Sequence, residues 1–175
     1  MAWLNADGLY IKFGKEQGAV GKGGTYESDG PTQMTEVKLD LAVDATATIG
    51  QIVGTTGVSA GAAGTLIPGG VRIESVEVVA EVAAVGATAT LDVGLVRLDR
   101  TTELDFNGLV AALPVASIDL AGERTFLSAG VATAGALVGT TTAFPGYITA
   151  NRNTANFTAG KVIVRINWYK PQTIG

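Results

Sequence analysis

A chain of 175 residues, 47% hydrophobic and only 16% charged, has the length of a single domain (roughly 100–200 residues) and enough apolar material for a sizeable core. Its charged fraction lies below the ~25% of an average domain. The net charge of −4, from 12 basic and 16 acidic residues without a Lys/Arg cluster, argues against nucleic-acid binding by phosphate neutralisation, and the absence of Cys and His excludes disulfides, Cys- or His-ligated zinc and His-dependent nucleophilic catalysis.

So few charges leave Thr, Ser, Asn, Gly and Ala to cover the surface. A protein that buries surface against partners has this texture, and so does a plain Ala/Gly/Thr-rich β-protein. The opening residues 1–7 lack the basic start and apolar run of a signal peptide. No stretch approaches the ~18 continuous apolar residues of a membrane span. Synthesis in the cytoplasm is the expectation, with release by lysis still open.

Residues 1–33 read as an arm and linker. After an Asp7-Gly8 turn, Leu9–Phe13 is strand-like, with Leu9, Ile11 and Phe13 on one face. From Gly14 to Gln33, the residues Gly18, Gly21, Gly23, Gly24, Gly30 and Pro31 predict no regular element. The apolar strand is then either an edge of the domain's own sheet or an arm that adds to a partner's sheet. Trp3 in the same arm either anchors an interface or packs back on its own domain.

Residues 34–175 read as the folded body. Met34–Leu41 alternates, with Val37, Leu39 and Leu41 against Glu36, Lys38 and Asp40, as a half-buried antiparallel strand does. Thr46–Ile49 extends it, and Gly50–Thr65 is a long loop of the kind found at contact surfaces. The stretch Ile67–Asp99 reads as two long strands around a small-residue turn. In the first, Val71 and Ile73 share one parity while Val76, Val78, Ala80 and Val82 share the other, which predicts a bulge near Glu74-Ser75. In the second, Thr88–Leu98, apolar residues of both parities predict cover on both faces. Asp99–Asn107 is a polar patch. Gly108–Leu113 fits a helical turn capped by Asn107. Short strands are expected at Val115–Ile118, Thr125–Leu127, around Leu137-Val138, and at Tyr147–Ala150. Lys161–Lys170 closes the chain with Val162, Val164, Ile166 and Trp168 facing inward. Eight to ten short strands with turns between them predict an all-β sandwich, a jelly roll first among them.

The chain offers little reactive chemistry. Glu74, Glu77 and Glu81 alternate with apolar residues on one strand, so a solvated face explains them better than a glycosidase pair. A Ser-Lys dyad needs a desolvated lysine, and these lysines lie in the linker or at strand faces and ends. Gly21-Lys22 fails the phosphate-loop pattern, which needs Gly where Glu16 stands and Ser or Thr at Gly23. Asp99, Glu103, Asp105 and Asn107 match no EF-hand spacing, and a solvated turn cap is the expected role. No catalytic residue, metal or cofactor is assigned.

Four runs, IPGGVRIESVEVV…TATLDVGLV, NADGLYIKFG, TELDFNGLVAAL and KVIVRINWY, resemble tailed-bacteriophage head proteins of the small decoration (cement) type. The resemblance implies a non-enzymatic virion protein that binds the major capsid protein on the outside of an assembled head, often as a trimer at symmetry axes, and stabilises the shell. It implies that the arm makes the contact, through Trp3, Leu4, Leu9, Tyr10, Ile11, Lys12 and Phe13. No nucleic acid, membrane or small-molecule substrate enters. The other reading is a glycan- or receptor-binding module of a phage fibre or head appendage, for which Tyr10, Tyr26, Tyr147 and Tyr169 are the spare aromatic residues.

Overall fold

Period-two alternation of apolar and polar residues resolves into two antiparallel sheets. The computed structural model describes residues 3–4, 10–11, 23–26, 32–45, 47, 52–53 and 65–171. A five-stranded sheet has the order β3-β4-β11-β6-β9, made of β3 (Gly23–Tyr26), β4 (Thr32–Asp40), β11 (Ala159–Tyr169), β6 (Arg72–Val85) and β9 (Arg124–Ser128). A four-stranded sheet has the order β5-β10-β7-β8, made of β5 (Leu66–Ile67), β10 (Gly146–Asn153), β7 (Thr90–Arg97) and β8 (Glu103–Pro114). A separate pair joins β1 (Trp3–Leu4) to β2 (Tyr10–Ile11).

One apolar core joins the two larger sheets. Leu39 of β4, Ile73, Val76 and Val78 of β6, and Val162, Val164 and Ile166 of β11 belong to the same buried cluster as Leu91, Val93 and Leu95 of β7, Leu113 of β8 and Ile148 of β10. Each such side chain contributes about 1.5–3 kcal/mol on burial. Trp168 also lies in the core, and its indole Nε1–H donates to Thr35 Oγ1 at 2.9 Å, so neither buried polar atom is left unpaired.

The pairing is nested. β4 pairs with β11, β5 with β10, β6 with β9, and β7 with β8. The sheets are completed where β10 meets β7 and β11 meets β6. Strands β4 to β7 therefore alternate between sheets. The β-sandwich expected from the sequence is the fold observed.

The two long strands of Ile67–Asp99 exist but do not pair with each other. The connection after β6 crosses from one sheet to the other instead of making a hairpin. It is tight there: a Cβ on Gly86 would lie 2.8 Å from the Asn156 carbonyl oxygen and 2.9 Å from Ala89 Cβ. The expected bulge is present, because Asn167 opposes Ser75 while the next residue, Trp168, opposes Ile73, leaving Glu74 as the extra residue. A second register shift leaves out Glu81, with Lys161 opposite Val82 and Val162 opposite Ala80. It turns Val82 outward, so Val82 is half-exposed and not in the core as its parity suggests. In β7, every residue from Leu91 to Val96 is buried, as two-sided cover requires.

Several shorter expectations change. Gly108–Leu113 is not a helical turn but the second half of β8, held by β7 on one side and by backbone bonds from Ala111 to Thr133 and from Leu137 to Gly108 on the other. Val115–Ser117 is a 3-10 turn, and Leu137-Val138 lie in turns. The stretch Gly14–Gln33 contains a strand after all, since β3 pairs with β4 from Gly23↔Val37 to Tyr26↔Met34. Most of Thr46–Ile49 and of Gly50–Thr65 lies outside the described residues, but Ile52 bridges Thr149.

Candidate functional site

Of the residues assigned to partner contact, Trp3, Leu4, Tyr10 and Ile11 come together in the β1–β2 pair, with Trp3 opposite Ile11 and Leu4 opposite Tyr10. Leu9, Lys12 and Phe13 lie outside the described residues. Tyr10 and Ile11 of the apolar stretch thus pair with Trp3 and Leu4 near the start of the chain.

The outer face of the five-stranded sheet carries a ladder of charges that sequence reading missed. β4, β11, β6 and β9 are neighbours, and their register sets Glu36 beside Arg165 and Arg165 beside Glu77. Arg165 Nε donates to Glu36 Oε2 at 3.0 Å, and its Nη1 donates to Glu77 Oε2 at 3.3 Å. Arg124 Nη1 of β9 lies 3.4 Å from Glu77 Oε1, close enough for charge attraction but outside hydrogen-bond geometry. The hydrogen bond to Glu36, then burial opposing it, then Glu77 together leave the Arg165 guanidinium with its pKa raised. Glu77 is not on a solvated face: its side chain is only 9% exposed. Glu81 of the same strand pairs with Lys38 at 3.0 Å.

The polar patch after β7 is a capped turn. The Asp99 carboxylate accepts from the Thr101 and Thr102 amides at 2.9 and 2.8 Å and from the Thr102 hydroxyl at 2.5 Å. These bonds, the Thr102 hydroxyl first, lower its pKa to about 2. Asp105 accepts from the Asn107 amide at 3.2 Å. Among the described residues, no group of three or more His, Cys, Asp or Glu side chains converges as a metal site would require. Beside the patch, Arg97 lies over the Phe144 ring at 4.0 Å and Arg100 over Tyr147 at 5.2 Å.

Under β8, Asp92 accepts from the Ala112 amide at 2.6 Å, and Ala112 has a positive φ of 50°. Burial raises the Asp92 pKa, and the Ala112 bond opposes the rise. Asn151, its cross-strand neighbour, donates to the Phe106 carbonyl at 3.5 Å. These groups tie strands together, and no second carboxylate faces Asp92 among these contacts. A shallow depression of about 550 Å³ at one end of the sandwich is lined by Ala84, Val85, Val115, Ala155 and Asn156, with Asp119 its one ionisable side chain. Of the spare tyrosines, Tyr147 lies on β10 and Tyr169 on β11, in different sheets.

Fold and surface together define a class: an all-β sandwich whose charged side chains Glu36, Arg165, Glu77 and Arg124 face one another, with no convergent metal-type cluster among the described residues. No family model matches the chain, and no curated protein matches it. Among solved structures, it is similar to a chain in the "Acidic stable capsid structure of Helicobacter pylori bacteriophage KHP30", with a TM-score of 0.50, 13% identity, and coverage of 83% of this chain and 92% of that one. It also aligns with a chain in "Capsid of Ralstonia phage GP4" (TM-score 0.46, 17% identity, 84% and 90% covered). A third alignment is to a chain in "Cyanophage Pam1 capsid asymmetric unit" (TM-score 0.45, 17% identity, 90% and 92% covered). The first of these likenesses speaks for a shared fold.

Proposed function

We propose that this chain is a structural, non-enzymatic protein of a bacteriophage virion that binds the outer capsid surface and stabilises the head. The observation that carries the reading is the nested eight-strand sandwich, β4 to β11, whose fold is similar to that of a chain in a phage capsid structure over 83% of its length. Nested pairing is how a jelly roll wraps, and jelly rolls recur in viral capsid domains. The low charge of the chain supports the same reading, since a surface poor in charge costs little to desolvate against a partner.

In this reading the major capsid protein is the partner, and the chain acts as a homo-oligomer, a trimer by resemblance. Within residues 1–33 the stretch before β3 forms the attaching arm, with Trp3, Leu4, Leu9, Tyr10, Ile11, Lys12 and Phe13 making the contact, while β3 and the start of β4 belong to the sheet of the body. The test mixes purified protein with capsids that lack it. Binding together with a raised disruption temperature is the expected result; if the protein neither binds nor protects, the reading falls. Deleting Met1–Phe13 abolishes binding while the body still folds. Unchanged binding after the deletion removes the arm from the account.

A further inference from the structure

Sheet edges are liabilities, and natural proteins cover, shorten or charge them. The two sheets end in β5, β8, β3 and β9. β8 is covered by backbone bonds to residues 133–137, β5 is only two residues long, and β3 is a four-residue strand with two glycines. β9 (Arg124–Ser128) is different. It ends the five-stranded sheet and, among the described residues, pairs with β6 alone. It contains no Pro and no bulge, and its register with β6 runs unbroken from Ser75↔Ser128 to Val79↔Arg124. In the middle of this edge stands Phe126, 64% exposed.

The alternation of antiparallel bonding decides which backbone groups face outward. The Ala80 amide donates to the Glu123 carbonyl, which places Thr125 and Leu127 among the residues bonded to β6. The amide and carbonyl groups of Arg124 and Phe126 and the Ser128 amide then face the open edge, while the Ser128 carbonyl already accepts from the Val131 amide at 3.1 Å. The two turns flanking the strand continue its apolar character, with Leu120 67% and Val131 39% exposed. Three of the nine large apolar residues exposed among the described residues thus lie within residues 120–131.

We propose that β9 pairs antiparallel with β9 of a second copy of this chain, about a two-fold axis at Phe126. The sequence of the edge is self-complementary in that register. Phe126 meets its own counterpart, and Arg124, already facing Glu77, lies opposite the partner copy's Ser128 and not opposite a like charge. The antiparallel sense brings the Leu120 turn of one copy to the end where the other carries Val131. Phe126 exchanges both its bonds with its counterpart, the Ser128 amide donates to the other copy's Arg124 carbonyl, the Arg124 amide takes the second lone pair of the Ser128 carbonyl that Val131 already uses, and the two five-stranded sheets become one continuous sheet. With five residues a side the contact is small against a standard interface, so association is concentration-dependent. This pairing does not rest on capsid attachment and is compatible with any further oligomer built elsewhere on the chain.

The experiment uses the full chain in sedimentation velocity over a concentration series. Phe126→Lys keeps an exposed side chain exposed and sets two like charges directly across the axis. Wild type is expected to reach twice the mass that Phe126→Lys shows, and an equal mixture of Phe126→Lys with Phe126→Glu to regain the doubled mass. Circular dichroism melts of each variant matching wild type show that the fold is kept. Equal masses for wild type and Phe126→Lys at the highest soluble concentration overturn the proposal, as does a mixture that fails to re-associate. Because the chain has no Cys, Phe126→Cys supplies a second reading. The spacing of a bonded antiparallel pair, about 5.5 Å between Cα atoms, lies within the disulfide range, so oxidation yields a covalent dimer, and absence of that dimer counts equally against the pairing.

Discussion

Replacing Glu77 by Gln tests whether the charge ladder stabilises the sandwich. The carboxylate stands between Arg165 Nη1 at 3.3 Å and Arg124 Nη1 at 3.4 Å. Breaking a fully buried pair costs roughly 3–5 kcal/mol, whereas an exposed pair is worth about 0.2–1 kcal/mol. Here Glu77 is covered, but Arg165 is 27% and Arg124 56% exposed, so both guanidinium groups recover water when the charge opposite is lost. Arg165 also keeps Glu36. The loss therefore lies between the limits, at about 1–2 kcal/mol, nearly all of it through Arg165. For a chain of this size that is a fall in Tm of about 2–8 °C. Thermal and urea denaturation of wild type, Glu77→Gln, Arg165→Met and the double variant close a cycle whose coupling is expected to be about 1 kcal/mol. Salt should weaken it only in part, because Glu77 is shielded from the solvent ions that screen exposed pairs. A Glu77→Gln protein that melts with wild type, or a coupling below about 0.3 kcal/mol, would show that the ladder adds nothing and refute the reasoning.

Gly94→Ala should cost about 3 kcal/mol or more, since its Cβ would lie 2.0 Å from the Asp105 carbonyl oxygen and 2.3 Å from the Phe106 carbonyl carbon, and backbone must move. Gly122→Ala, with φ of +87° but open space around it, should cost only about 1–2 kcal/mol in the same urea titration; equal losses would mean that close approach does not set the demand at Gly94. Asp92 has its carboxyl pKa raised above 3.8 by burial, so the folded state takes up this proton first and the ionised form opposes folding at neutral pH. Asp92→Asn is accordingly more stable than wild type at pH 7, and the gap closes as pH falls through the raised value toward 3.8; a gap independent of pH contradicts the assignment. Asp99 runs the other way, because its carboxyl is lowered from 3.8 to about 2. Its contribution is present above 3.8 and lost as pH falls toward 2, so Tm profiles of wild type and Asp99→Asn converge only at the acid end.

Where the chain alternates strictly, its faces were legible without a structure. Val162, Val164, Ile166 and Trp168 are inward in β11, and Val37 and Leu39 in β4, because one side of each strand meets the core and the other does not. The Glu74 bulge was legible because it inverts that alternation. The bulge at Glu81 was not: Val82 keeps the parity of Ala80, so nothing local marks the extra residue, and only pairing with β11 exposes it. The second half of β8 was misread because Asn107 looks like the N-cap of a helical turn over Gly108–Leu113. Gly108 serves close packing within the strand instead, since a Cβ there would lie 2.6 Å from Leu137. Of the arm's residues, the sequence marks their apolar character and spacing, but not the pairing of Trp3 with Ile11.

The larger illegibility is pairing itself. A reader of Ile67–Asp99 sees two strands and a short turn and joins them, since a hairpin is the shortest way to satisfy both edges. The nested order forbids it. β6 finds its neighbours in β9 and β11, and β7 in β8 and β10, so only the innermost pair is local. The Arg165–Glu36 bond spans 129 residues of sequence, and no window of the chain contains both partners. Glu77 is the sharpest case. Its alternation with valines correctly places it on the outer face of β6, yet its burial comes from Arg165 and Arg124, which reach it from strands far along the chain. The face of a strand is a local property; whether that face is wet is a property of its neighbours. In a chain with few charges, those placed at the crossing of β4, β11, β6 and β9 face one another, which ties the outermost strands of the nest to the centre of the sheet.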